Sequence, residues 1–139
     1  MTTRKAVLVS MVLAVALAAA GCGDSTTPTS PTTPTGPVTA TYDTQVWPGG
    51  FASRTFVVTT TGTVSVTLTT TTPADATLGL VVGVPQGIGG CAPTTSVSAR
   101  ASSTPQIVLT ADKGAYCTMV YDLGTLTDPV SFTIKIEHP

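Results

Sequence analysis

Along residues 38–139 the apolar positions fall into short runs with a period of two, separated by clusters of Gly, Pro and Asp. The clearest is Val130–Ile136, where Val130, Phe132, Ile134 and Ile136 alternate with Ser131, Thr133 and Lys135. Successive side chains of a strand leave on opposite faces, so this pattern predicts a strand with one face buried and the other in water. Thr63–Thr69 repeats it with Val64, Val66 and Leu68. In Thr77–Val84, Leu78, Leu80, Val82 and Val84 share a side, and Val81 makes the run more thoroughly apolar, which suits a central strand. Thr41–Trp47, Phe56–Thr59, Ile107–Leu109 and Tyr116–Leu123 are further strand candidates, and Val97–Ala99 is a weaker one. Breakers lie between them at Pro48-Gly49-Gly50, Pro73-Ala74-Asp75, Pro85–Gly90, Asp112-Lys113-Gly114 and Asp128-Pro129. No stretch carries helical periodicity over ten residues, so the domain is predicted to be all-β, an antiparallel sandwich or barrel.

The link between Phe56–Thr59 and Thr63–Leu68 admits two registers. A two-residue loop sets Phe56 opposite Thr67, whereas the three-residue loop Thr60-Thr61-Gly62 pairs Phe56 with Val66 and Val58 with Val64. A slip of one residue turns every side chain to the wrong face. The apolar match therefore predicts a hairpin in the second register, with Gly62 in the left-handed position that such loops need.

The N-terminus differs in kind. Arg4 and Lys5 precede an uncharged run, Ala6–Ala20. Fifteen helical residues reach about 22 Å, short of a hydrocarbon core of about 30 Å. A positive start, a short apolar run and small residues before Cys22 describe a secretory signal peptide over residues 1–21. Ala19-Ala20-Gly21-Cys22 resembles the lipobox of bacterial lipoproteins, with Ala19 where that family favours Leu. The resemblance implies that Cys22 is acylated and becomes the mature N-terminus. Two or more acyl chains give stable attachment where one holds only marginally. Gly23 after the Cys, rather than Asp, is compatible with the outer membrane or cell surface; the periplasmic face is the alternative.

Residues 22–37 hold no large apolar side chain after Cys22 and cannot bury a core. Pro28, Pro31, Pro34 and Pro37 recur every third residue, the period of polyproline II. At about 3.1 Å per residue, a stretch of this length spans on the order of 45 Å. Either a semi-rigid spacer or a flexible tether fits that composition.

Composition then sharpens the picture. The chain of 139 residues is 42% hydrophobic but only 9% charged, and threonine supplies 30 of its residues. The mean hydropathy of +0.38 looks membrane-like. Residues 1–21 carry 15 of the apolar residues, however, and losing them also moves the formal charge from −1 to −3. What remains is a weakly acidic β-domain whose threonines supply strand faces and stalk. A nucleic-acid partner, which needs a basic patch, is not expected.

With Cys22 given to lipid, Cys91 and Cys117 remain as a pair in an exported protein, where oxidising conditions favour a disulfide. The pattern places Cys91 in a Gly/Pro-rich loop and Cys117 in a strand, so the bond would clamp that loop to the sheet. Two free thiols or metal ligands are the alternative, although two Cys lack the further ligands of a structural zinc. The one histidine, His138, is penultimate, where chains are usually poorly ordered, and makes a poor general base. No G-x-S-x-G, P-loop, HExxH or EF-hand pattern occurs. Asp43, Asp75, Asp112, Asp122 and Asp128 stand singly and read as turn formers or surface charges. No catalytic residue, metal or cofactor is assigned.

Among the aromatics, Phe56, Phe132 and one tyrosine are expected in the core, with Trp47 over a sheet edge. Trp47 and Tyr116 are the candidates for an exposed ligand platform of the kind that stacks on sugars. The order of features from residue 51 onward resembles the bacterial pre-peptidase C-terminal domain, a small jelly-roll-like β-sandwich. The matching pieces are Arg54–Val58, Gly62–Leu68, Ala74–Val84, Lys113–Tyr121 and Val130–Ile136. Ala76-Thr77-Leu78-Gly79-Leu80 lacks the second acid of that family's D-L-D-L-type strand. The resemblance implies a non-catalytic accessory domain. The expectation is thus a lipid-anchored, non-enzymatic module of the cell envelope with a binding or structural role, its partners the membrane and an envelope polysaccharide or protein. A carbohydrate-binding or adhesion module is the alternative, and an enzyme-system accessory a distant one.

Overall fold

The computed structural model describes residues 36–139; the segment expected to be a signal peptide, Cys22 and most of the expected stalk lie outside the described residues. Eight strands follow one another: β1 Val38–Val46, β2 Phe51–Val58, β3 Gly62–Thr72, β4 Leu78–Gln86, β5 Gly90–Ala99, β6 Ile107–Ala111, β7 Gly114–Tyr121 and β8 Val130–His138. They form two four-stranded antiparallel sheets, ordered β1-β8-β3-β6 and β2-β7-β4-β5. Every connection except β4–β5 passes from one sheet to the other, the layout of a jelly-roll sandwich.

The period-two pattern explains the layers. Val64, Val66 and Leu68 of β3 and Phe132, Ile134 and Ile136 of β8 meet Leu78, Leu80 and Val82 of β4 and Val120 of β7 in one core. Each such side chain, taken fully out of water, contributes about 1.5–3 kcal/mol. As the unbroken apolar run predicted, β4 is central. Leu78, Leu80 and Val82 face the core, while Val81 packs on the outer face with Cys91 and Cys117. Val84 is exposed rather than buried, because it lies beyond Gly83, the last residue of β4 that pairs with β7.

The expected β2–β3 hairpin does not form. Phe56 pairs with Tyr116 of β7, and Val66 with Ile107 of β6 and Ile136 of β8. The two strands belong to opposite sheets, and Gly62 has no positive φ. Phe56, Val58, Val64 and Val66 do share the core, so their matched spacing reflects packing across the sandwich rather than pairing within a sheet.

Two more expectations change. Cys91 lies in β5, not in a loop. β5 is an edge strand of mostly small polar residues and tolerates Pro93 next to a bulge, so it carries no apolar alternation. His138, expected in a loose terminus, is the buried last residue of β8, its ring 5.2 Å from that of Phe56. Pairing of β8 with β1 and β3 holds it there, and the Pro139 carbonyl accepts a hydrogen bond from the Thr59 amide.

The β5–β6 connection is tied to β3 by one side chain. The Gln106 carboxamide accepts from the Leu68 amide at 2.7 Å and donates to the Leu68 carbonyl at 3.3 Å and the Arg100 carbonyl at 2.9 Å. It thereby acts as a peptide group would, satisfying backbone that the short β6 leaves unpaired. On the open side of the sandwich, where the edge strands β1 and β2 face each other, the Arg54 guanidinium lies 5.2 Å over the Tyr42 ring. Burial pushes the Tyr42 hydroxyl well above the usual phenol range, opposed by the Arg54 charge and the nearby Thr118 hydroxyl.

Candidate functional site

Trp47 sits where β1 turns into β2. Pro48 fixes the second place of the turn and Gly49 takes the third at φ +70°, as a type II turn requires. The Gly50 amide donates to the Trp47 carbonyl at 2.8 Å. A single carboxylate then fastens this turn. Asp122 Oδ2 accepts from the Gly49 amide at 2.8 Å, and Oδ1 accepts from the Gly124, Thr125 and Leu126 amides at 2.8–3.1 Å. The Asp122 amide donates in turn to the Gly50 carbonyl. The β1–β2 turn and the β7–β8 loop are thereby joined. At this fastened turn Trp47 and Phe51 are each 60% exposed.

The Gly49 amide, followed by the other three, holds the Asp122 carboxyl below its ordinary value of 3.8. A depressed folded-state pKa stabilises above the unfolded value and is lost as pH falls through the folded one. In a pH titration of backbone amide resonances, Gly49 and Gly124 should therefore move together with a midpoint below 3.8. A midpoint at or above that value would mean the clamp does not form.

The outer face of the first sheet carries an open groove of about 480 Å³. Its floor is built by register across three strands. Asp43 stands opposite Thr133, which stands opposite Thr70; one step along, Gln45, Ser131 and Thr72 make the next row. Thr70 Oγ1 donates to Thr133 Oγ1 at 2.8 Å, and Thr133 Oγ1 donates to Asp43 Oδ1. A second opening lies between the β3–β4 and β7–β8 loops, with Asp75 and Asp128 on its wall.

The structure separates the two platform residues. Tyr116 faces inward, half-buried, with its ring 5.9 Å from Phe56. It lies at the end of β7 near Gly114, whereas the Trp47 turn adjoins Phe51, opposite Tyr121 at the other end. Phe56 and Phe132 are buried, with Tyr42 packed on the core beside Tyr116. The remaining acids are dispersed: Asp112 accepts from the Thr61 hydroxyl and Asp128 from that of Thr127. Among the described residues no three His, Cys, Asp or Glu side chains converge. His138 Nδ1 lies 3.1 Å from the Pro139 carbonyl oxygen, with no Ser or Asp side chain bonded to it. Sequence reading missed the groove altogether. Its residues sit on three strands 25–90 positions apart in the chain, and only the register brings them together.

Cys91 and Cys117 form a disulfide, with Cα atoms 5.8 Å apart. They stand on β5 and β7, the two neighbours of β4, so the bond passes over β4 at Gly83. Strands two apart are normally about 9.6 Å from each other. The start of β5 must therefore lean across the sheet, and Gly83 has no side chain to prevent it: a Cβ there would lie 1.9 Å from the Ala92 carbonyl oxygen. At the hairpin tip the Ser53 hydroxyl donates to the Gly89 carbonyl at 2.6 Å, which ties the fold-over to β2. Val81, Met119 and Tyr121 pack beneath it as a small second core.

Compared with known proteins, the chain matches no protein-family model and no curated protein sequence.

Proposed function

We propose that the protein is a lipid-anchored, non-catalytic module of the bacterial cell envelope, held off the membrane by a Thr/Pro stalk and binding with the end of its sandwich away from that stalk. The observation that carries this reading is polarity along β1. The chain enters the domain at Val38, which pairs with His138, and nine residues later reaches the Trp47 turn at the opposite end. The fastened Trp47 turn and the open groove both lie toward that far end of the domain, away from the point where the chain enters it. The resemblance of the sequence pattern from residue 51 onward to pre-peptidase C-terminal domains supports an accessory rather than a catalytic role.

Labelling cells with palmitate and fractionating them tests the anchor. The wild-type chain should carry label and pellet with membranes, and Cys22→Ala should lose both. A Cys22→Ala variant that still pellets with membranes would end the lipoprotein reading.

A further inference from the structure

The four edge strands of the sandwich, β1, β6, β2 and β5, are not alike. A sheet edge offers unpaired N–H and C=O groups to any further strand, and proteins block it with Pro, bulges, short strands or charges turned inward. β5 carries Pro93 and a break in register. β6 has five residues, and the connection ahead of it is bonded to β3 through Gln106. β2 has Arg54 on the same side as Phe56 and Val58, a charge turned toward the open side of the sandwich. β1 has none of these devices. Its nine residues pair with β8 without a shift and include no Pro, Gly or Lys. Its one charge, Asp43, belongs to the outward row. Every second residue of β1 therefore turns an N–H and a C=O away from β8, along an edge that nothing guards.

We propose that this edge joins two copies of the chain: β1 pairs antiparallel with β1 of a second copy about Tyr42, and the two β1-β8-β3-β6 sheets become one sheet of eight strands.

A two-fold interface must complement itself, and β1 does. Tyr42 is the middle of its nine residues, so an axis there is the one register that uses the whole strand. That register sets Val38 opposite Val46 and Ala40 opposite Thr44 on the inner side, which carries both core faces into one another. On the outer side it sets Thr39 opposite Gln45 and Thr41 opposite Asp43, each twice. Asp43 Oδ1 accepts from Thr133 within its own copy, and Oδ2 is left for the Thr41 hydroxyl of the other. The pairing also closes. Both β1 edges are used up, and the blocked edges of β2, β5 and β6 stop further growth, so the product is a dimer and not a fibre.

Charge at position 41 tests the register. The full chain is measured by sedimentation equilibrium in density-matched detergent, with circular dichroism as the check on folding. The wild type should reach twice the chain mass at micromolar concentration. Thr41→Asp places two pairs of like charges across the axis and should weaken dimerisation about tenfold. Within one copy the new carboxylate stands opposite Lys135, so the fold should be no less stable. Thr41→Lys, opposite Asp43, should strengthen the dimer several-fold. Thr41→Asp combined with Asp43→Lys should return it to near the wild-type value. A wild-type chain that stays monomeric, or one that grows beyond two copies, overturns the proposal. So does a dimer that responds alike to Asp and Lys at position 41. Should Thr41→Asp fail to fold, Thr41→Lys decides: a dimer that it leaves unchanged or weakens is not built on this register.

Discussion

Replacing Gly83 with valine is expected to cost about 3 kcal/mol or more, a large part of the 5–15 kcal/mol that holds a typical domain together. The reason is backbone, not side chain. Even the first carbon of the new residue would lie 1.9 Å from the Ala92 carbonyl oxygen and 2.7 Å from its carbon. Neither atom can swing aside without moving β5, which is held at this point by the Cys91–Cys117 bond and by Ser53 on Gly89. Gly79→Ala makes the informative comparison. There the obstacle is the Tyr121 ring, 2.2 Å away, and a half-exposed side chain can rotate off the sheet. Urea denaturation of the full chain should therefore show a much larger loss for Gly83→Val than for Gly79→Ala. A Gly83→Val variant as stable as the wild type would mean that β5 does not lean across β4.

Removing the disulfide, as Cys91→Ala together with Cys117→Ala, is expected to cost about 3.5 kcal/mol from chain entropy over the 26-residue separation. Both sulfurs are also packed against Val81, so truncation leaves space in the outer core. Reduction of the wild type should cost a similar unfolding free energy in a urea titration, and a double variant within about 1 kcal/mol of wild type would refute the estimate. The two changes should not add. Once Gly83→Val has pushed β5 away, the cysteines can no longer meet, so the disulfide variant built on that background should lose little more. A fully additive result would show that hairpin and bond are independent.

The strands that could be read from sequence are those with a wet face and a dry face. β3, β4 and β8 alternate clearly because each has a core side, and β4 stood out as central through Val81. β5 was missed beyond Val97–Ala99 because an edge strand of small polar residues has no such signal. Pairing was less legible than position. Val64 and Val66 match Phe56 and Val58 whether they lie side by side in one sheet or face to face across two, and only long-range register separates these cases. The same limit hid the groove. Trp47 could be singled out from its place beside a Pro-Gly-Gly turn, and Asp43 as an isolated acid. That Asp43 shares a row with Thr133 and Thr70 depends on strands far apart in the chain. Tyr116 failed as Trp47's companion because the strand's alternation turns it inward onto Phe56.

The placement of the Trp47 turn at the far end of β1 also sets how the molecule would carry a mechanical load. A pull between a tether at Val38 and a partner held at the Trp47 turn would run along β1, parallel to its neighbour β8. With force entering and leaving at the two ends of the same strand, the tension would follow the covalent backbone of β1, and the nine register pairs from Val38↔His138 to Val46↔Val130 would be spared. A pull at right angles would open the same ladder one pair at a time, like a zip. A strand tethered at Val38 and held at the Trp47 turn would therefore be loaded in its strongest direction.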